Sequence, residues 1–391
     1  MILLVATLAA CGGSGDTADS AVSADPREFT NAEIARLRKH WPLGPVPADP
    51  TNRVADDPAA QRLGHFLFFD PRLSSNGEIS CATCHDPEFG WGDGLPVSEG
   101  LSTTGRHAPT IWNAGYTRWS FWDGRCDSLW CQATGPIEAA GEMGGDRLAV
   151  AHLIAEDAEL AEAYEEIFGP LPDISDRADF PDHAMPGSDP LDPITEAWES
   201  MTSDNQAIAN EIFVNVAKSI AAYERLIVSR DSSFDEFAET MLTGEGDGLH
   251  AMSDEAVRGL KLFLGKAQCH FCHDGPNFTN QEFGAEKLDF LALNPEMEGQ
   301  FKVPTLRNIA TNAPYMHGGH FETLDEVMNH YVNPSEIPEF GHREDLLLKP
   351  WATVMDLTEQ EMSDVVSFLE ALTSPDIDAN LTVQPASPIL E

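Results

Sequence analysis

The sequence predicts an all-α protein built as two helical units, and three observations carry that prediction. At 391 residues the chain can bury two cores of ordinary size. A short pattern, Cys-x-x-Cys-His, is written twice, as "CATCH" from Cys81 and as "CHFCH" from Cys269, and apolar residues at helical spacing lead into each copy. A further amphipathic run of helical period follows each copy, and helix signals, not strand signals, surround both.

Before Cys81 the run "PAAQRLGHFLFFD" places Leu63, Phe66 and Leu67 at helical spacing behind Pro58, a residue suited to a first turn. Before Cys269 the run "SDEAVRGLKLF" opens on Ser253 as N-cap and sets Ala256, Val257, Leu260 and Phe263 on one face. In "IANEIFVNVAKSIAAYERLI" the residues Ile212, Val216, Ile220 and Tyr223 share a stripe. In "TEQEMSDVVSFLEAL" Thr358 and Glu361 form a capping box ahead of Met362, Val365, Leu369 and Leu372. Each Cys-x-x-Cys-His segment therefore has a helix before it and a helix that closes it. The Gly-rich "TGEGDGLHAMS" reads as the linker, giving an N-terminal unit over 26–240 and a C-terminal unit over 241–391. The run "GPLPDISDRADFPDHAMPGSDPLDP" reads as a long surface loop, and the tail after Pro375 as loosely held.

Lys and Arg total 23 against 65 Asp and Glu, a formal charge of −42. Such a surface excludes nucleic acid and an anionic membrane face as partners, and suits a salty habitat or a basic protein partner. Residues 1–25 read as a bacterial lipoprotein signal: an apolar run too short to span a bilayer ends in Leu8-Ala9-Ala10-Cys11, and Cys11 would carry the lipid. The expectation is a periplasmic protein that meets the membrane only through that tether.

Cys-x-x-Cys-His sets two thiols on one turn, where they add across the two vinyl groups of a haem, and the next residue offers its imidazole to the iron. Two such patterns by accident are expected in about one in 100,000 sequences of this composition. Zinc would need a second ligand pair at finger spacing near each copy, which is missing. The reading is two covalent haem c groups, on Cys81, Cys84 and His85 and on Cys269, Cys272 and His273, with the two histidines as iron ligands. Cys126 and Cys131 remain open: an oxidising compartment favours a disulfide, but five residues within one helix would hold the Cα atoms too far apart.

The stretches "LFFDPRLS", "SCATCHDP", "APTIWNAGY", "FWDGR", "KSIAAYER" and "FKVPTLRNIATNAPYMHGG" resemble the di-haem bacterial cytochrome c peroxidases and their MauG-type relatives over nearly all of the mature length. That resemblance implies two cytochrome c-like domains, the first peroxidatic and the second for electron transfer. It aligns Gln132, Pro136 and Glu142 with the family's peroxide pocket: Glu142 as general acid and base, Gln132 orienting the peroxide. It places Trp122 of "FWDGR" between the two haems as an electron relay. Where classical peroxidases carry a distal histidine this chain has Glu99, so the first iron is expected to be open; His107 replaces a calcium-binding asparagine and is expected to be packed within its loop. One interhaem calcium ion, on backbone oxygens of Asn312 and Pro314, is the remaining implied cofactor, and the His107 replacement counts against it.

At the second haem Tyr331 stands where peroxidases have methionine and MauG-type proteins have tyrosine, with Met328 and His330 as nearby alternatives. A phenolate favours oxidised iron; a thioether favours reduced iron and electron entry. The resemblance thus implies hydrogen peroxide as oxidant, a high-valent di-haem state and oxidation of a protein partner at tryptophan. The alternative is reduction of peroxide with electrons from a small cytochrome.

Overall fold

The computed structural model describes residues 25–285, 300–332, 355–375 and 377–390. Its longer elements are α1 (Asn31–His40), α2 (Pro58–Phe68), the single turn α3 (Cys81–Cys84), α4 (Leu129–Glu138), α5 (Arg147–Glu156), α6 (Ala158–Phe168), α7 (Pro193–Ser200), α8 (Ser203–Glu224), α9 (Ser233–Thr243), α10 (Asp254–Leu264), α11 (Leu324–Val332) and α12 (Glu359–Glu370). Strands β1 (Phe283–Ala285) and β2 (Gln300–Lys302) pair antiparallel, Phe283 opposite Lys302. Local chemistry sets the helix starts. Asp57 accepts from Ala59 N with Pro58 in the first turn, Ser253 accepts from Ala256 N, and Thr358 and Glu361 cap each other.

The described chain builds one frame twice. In the first copy α2 crosses α8 at Gly64, where a Cβ would fall 1.7 Å from Ser219 O; in the second α10 crosses α12 at Gly259, where a Cβ would fall 1.8 Å from Asp364 O. Only glycine permits either approach. The motifs "PTIWN" and "PTLRN" place Asn113 and Asn308 in the left-handed region, φ 58° and 57°. Asn113 N donates to Ile227 O and Asn308 N to Leu372 O, while their side-chain oxygens accept from Ser229 N and Ser374 N. Each asparagine thereby fastens the stretch just past its closing helix.

Each frame has its own apolar cluster. Leu63, Leu67, Phe68, Ile212, Val216, Ile220 and Tyr223 anchor the first; Val257, Leu260, Phe263, Val365 and Phe368 anchor the second. Full burial of each such side chain contributes roughly 1.5–3 kcal/mol. The clusters do not follow a cut at 240/241. Leu37 of α1 and Phe234 and Phe237 of α9 pack in the second cluster, and Arg36 donates to Leu264 O at 2.7 Å.

Three loop expectations change. The tail after Pro375 is held: Ile377, Leu381 and Ile389 pack on the first cluster, Tyr223 Oη donates to Leu381 O (2.5 Å), and Arg62 Nε to Ser387 O (2.8 Å). The run 169–193 is a loop, but Ile174, Phe180 and Ala184 are buried, and Asp146 accepts from Ala184 N and His183 Nδ1. Within the linker Gly244 ends α9 at φ 75°, residues 248–250 form a short 3-10 turn, and Met252 is buried in the second cluster. The predicted signal and Cys11 lie outside the described residues. Among the described residues no helix is long and apolar enough to cross a membrane.

Candidate active site

The first Cys-x-x-Cys-His motif opens on a cavity lined by Cys81, Cys84, His85, Gln132, Pro136 and Glu142, with Ile220 and Glu224 of α8. The six residues that the sequence groups around the first haem therefore share one space. Gln132 and Pro136 stand one turn apart on α4. Glu142 is set by the turn that follows: Glu142 N donates to Ala139 O, and Met143 N to Pro136 O. Burial pushes its carboxyl up, against the nearby Arg125 charge, as a proton shuttle requires.

The loop that would carry a distal histidine docks against this turn. Leu101 N donates to Glu142 O (2.9 Å) and Ser102 N to Gly141 O (3.0 Å), while Glu99 is exposed. His107 is 2 % exposed and spends Nδ1 on Leu95 O at 2.7 Å, a packed imidazole.

Both motif histidines are aimed the same way. His85 Nδ1 donates to Trp91 O (3.1 Å) and His273 Nδ1 to Phe278 O (3.0 Å), which leaves Nε2 of each as the nitrogen available to iron. The two carbonyls come from residues in the left-handed region, Trp91 at φ 64° and Phe278 at φ 50°. Burial lowers His85 and takes His273 to about 4, both toward the neutral ring that ligates a metal. Cys81, Cys84, Cys269 and Cys272 form no disulfide, and burial raises Cys84 to about 11 and Cys269 to about 12. Two thiols in no disulfide, an oriented imidazole and an apolar-walled space fit a covalently held haem.

Cys126 and Cys131 are bonded, with Cα atoms 5.7 Å apart. Cys126 lies before α4, paired with Ser120 in an isolated bridge, so the separation expected within one helix does not arise. The bridge ties the "FWDGR" loop to the turn ahead of Gln132.

Trp122 does not line the first cavity. It stands at the joint of the two frames, its Nε1 donating to His107 O (2.9 Å) and its ring centre 6.4 Å from that of His317, at 72°. The backbone there is reciprocal: His107 N donates to His317 O (2.9 Å), and Lys302 N to Trp122 O (2.8 Å). Asn312 donates its amide to Phe89 O at 3.4 Å, and Pro314 follows a cis peptide bond.

The loop ahead of α4 and the loop ahead of α11 are one design. Ser120 pairs with Cys126 and Tyr315 with Phe321 in antiparallel bridges, and Phe121 and Met316 are left-handed at φ 65° and 69°. Counted from the helix starts, Leu129 matches Leu324, Ala133 matches Met328, Gly135 matches His330 and Pro136 matches Tyr331. Tyr331 therefore occupies the register of a residue that lines the first cavity, as does Met328, while His330 does not. Met328 and His330 are both buried, and His330 packs on Phe321 at 5.1 Å.

Glu224 was not foreseen. Its carboxyl is 3 % exposed, has one oxygen without a partner, and is raised to about 8 by burial. The signal was present: Glu224 follows Ile220 by four residues, so an acid interrupts the apolar stripe of α8. Its counterpart on α12, by the asparagine anchors, is Leu369.

A family model described as di-haem cytochrome c peroxidase matches residues 58–242. The methylamine utilization protein MauG of Methylorubrum extorquens is 30% identical over 388 residues, covering 95% of this chain and 94% of that protein. The cytochrome-c peroxidase IdrP1 of Denitromonas iodatirespirans is 33% identical over 375 residues, covering 85% of each. The crystal structure of a MauG-like protein associated with microbial copper homeostasis superposes with a TM-score of 0.64 at 27% identity, covering 88% of this chain and 97% of that one. With the paired frames and the cavity described above, these likenesses make the chain an oxidoreductase of the di-haem cytochrome c peroxidase and MauG family, with the two covalent c-type haems that membership implies.

Proposed function

We propose that the chain uses hydrogen peroxide to oxidise a protein partner at a tryptophan side chain, from a periplasmic position tethered through Cys11. The observation that carries this reading is the register of Tyr331 with Pro136, which supports a phenolate facing the second haem while the equivalent place in the first frame is a proline that cannot bind iron. A phenolate favours the oxidised metal, suiting an enzyme that stores oxidising equivalents more than one that draws electrons from a cytochrome.

The bound haems would supply the irons and the capacity to be oxidised by two electrons. The thiols of Cys81 and Cys84 and of Cys269 and Cys272 would hold them, and Nε2 of His85 and of His273 would be the nitrogen offered to each iron. Gln132 orients peroxide through its amide. Glu142 takes a proton from the inner oxygen and returns it to the leaving one, a task for a carboxyl that burial has made less acidic. Trp122, between the frames, carries electrons from one to the other.

The test has two parts. Holoprotein and peroxide added to a periplasmic extract should leave an added oxygen or a cross-link on tryptophan of a partner, read by mass spectrometry. Tyr331→Met should raise the potential of the second haem and speed oxidation of a reduced small cytochrome. Rapid oxidation of such a cytochrome by the unaltered protein, with spectrum and potential unmoved in Tyr331→Met, would replace this reading with the peroxidase one.

A further inference from the structure

The joint between the frames does not suit the calcium ion that the family resemblance implies. A calcium ion takes six to eight oxygen ligands, about 2.3–2.6 Å away. At the position expected to supply a side-chain amide oxygen this chain has His107, an imidazole, whose Nδ1 carries a proton given to Leu95 O. Three backbone oxygens of the joint are engaged: His107 O accepts from Trp122 Nε1, His317 O from His107 N, and Trp122 O from Lys302 N. The carboxylate nearest by is Asp93, 4 % exposed at its side chain, with Oδ1 3.9 Å from His107 Nδ1.

We infer that His107 closes this joint itself, in place of a calcium ion, and is the positioning residue that fixes Trp122 against His317. Three bonds from one residue do the work. The imidazole ties the loop at Leu95, the backbone N–H reaches His317 across the joint, and the backbone carbonyl holds the indole N–H of Trp122. The neighbouring Arg106 extends the clasp, pairing with Asp123 beside Trp122 (2.9 Å) and lying over Phe301, which stacks on His317 with centroids 3.9 Å apart. The imidazole is buried and anchored, so the whole segment is held without an ion. Trp122 and His317 occupy matching places in the two repeated loops, so a clasp here sets one frame against the other.

This inference does not depend on which substrate is oxidised. The first measurement uses the unaltered holoprotein, desalted as purified and again after treatment with a calcium chelator. Bound calcium is assayed by atomic emission, and the electron paramagnetic resonance signals and both midpoint potentials are recorded with and without millimolar calcium. The expected result is substoichiometric calcium and unchanged signals; about one calcium per chain, whose removal shifts the signals, overturns the inference. The second measurement is amide exchange over residues 93–107 in His107→Asn and His107→Ala. Loss of the Leu95 tie should speed exchange about fivefold or more in both, and added calcium should restore protection in His107→Asn alone. Exchange at the unaltered rate in both variants, with potentials unmoved, would make His107 an ordinary buried residue.

Discussion

The first frame and the second share a helix crossing at a glycine, a left-handed asparagine that fastens the closing helix, and a histidine aimed by a backbone carbonyl. They differ at a few matched places. Pro136 faces Tyr331 in the register, Glu224 faces Leu369, and Trp112 faces Arg307. Arg307 is fully buried, donates twice to Asp235 (2.8 and 2.9 Å), gives Nε to Pro276 O and lies over the Phe278 ring; Trp112 is buried among apolar residues and meets Trp91 edge-on at 6.3 Å. The comparison separates what a haem frame needs from what its chemistry needs. Crossing, anchor and aimed imidazole recur as parts of the frame; the buried acid Glu224 of the first cavity has the apolar Leu369 as its counterpart, so the frame does not require that acid.

The sharpest way to break this contrast is at the ion pair. Arg307→Met leaves Asp235 buried without its partner and should destabilise by about 3–5 kcal/mol, whereas Trp112→Phe in the first frame should cost about 1–2 kcal/mol. Denaturant unfolding of both holoproteins compares them, and equal costs would mean the frames are braced alike. Next in size is the cavity acid. Glu142→Gln should slow the reaction with peroxide about 100-fold or more, close to 3 kcal/mol of barrier, and leave the spectrum of the second haem unchanged. Stopped-flow absorbance reads both, and an unaltered rate would return Glu142 to the acidic surface. A third test concerns Glu224. Its folded value near 8 stands above the ordinary 4.5, so the folded state keeps a proton that the unfolded state releases. The stability this gives is complete below the lower value and lost as pH rises through the higher one. The thermal midpoint should fall across that window in the unaltered protein and stay flatter in Glu224→Gln; parallel slopes would show that another group carries the titration.

Much of this was legible in the sequence because the signals are local. The caps at Ser253, Thr358 and Glu361, the stripes on α8 and α12 and both Cys-x-x-Cys-His motifs depend on residues within a turn or two of each other. The convergence of Gln132, Pro136 and Glu142 on one cavity was expected through family resemblance, since nothing local distinguishes Glu142 among 65 acidic residues. What escaped depends on distant partners. The tail after Pro375 looks loose because its anchors, Arg62 and Tyr223, lie far back in the chain. The Cys126–Cys131 bridge turned on where α4 begins, and helix starts are read to within a residue or two at best. The hydrogen bonds of His107 are mostly made by its backbone, on which its residue type is silent.

The exchange of straps between the frames has a practical meaning for anyone wishing to take the molecule apart. The earliest described segment, with Arg36 and Leu37, embraces the later frame, and residues 377–390 embrace the earlier one. Scissors at 240/241 would therefore produce two fragments that each lack a piece of their own wall, while a single protease nick in the Gly-rich stretch near residue 246 would leave both pieces interlaced. Inheritance as one polypeptide is in this sense built into the packing: neither frame can be borrowed, swapped or expressed by itself without also moving a strand of sequence from the other end.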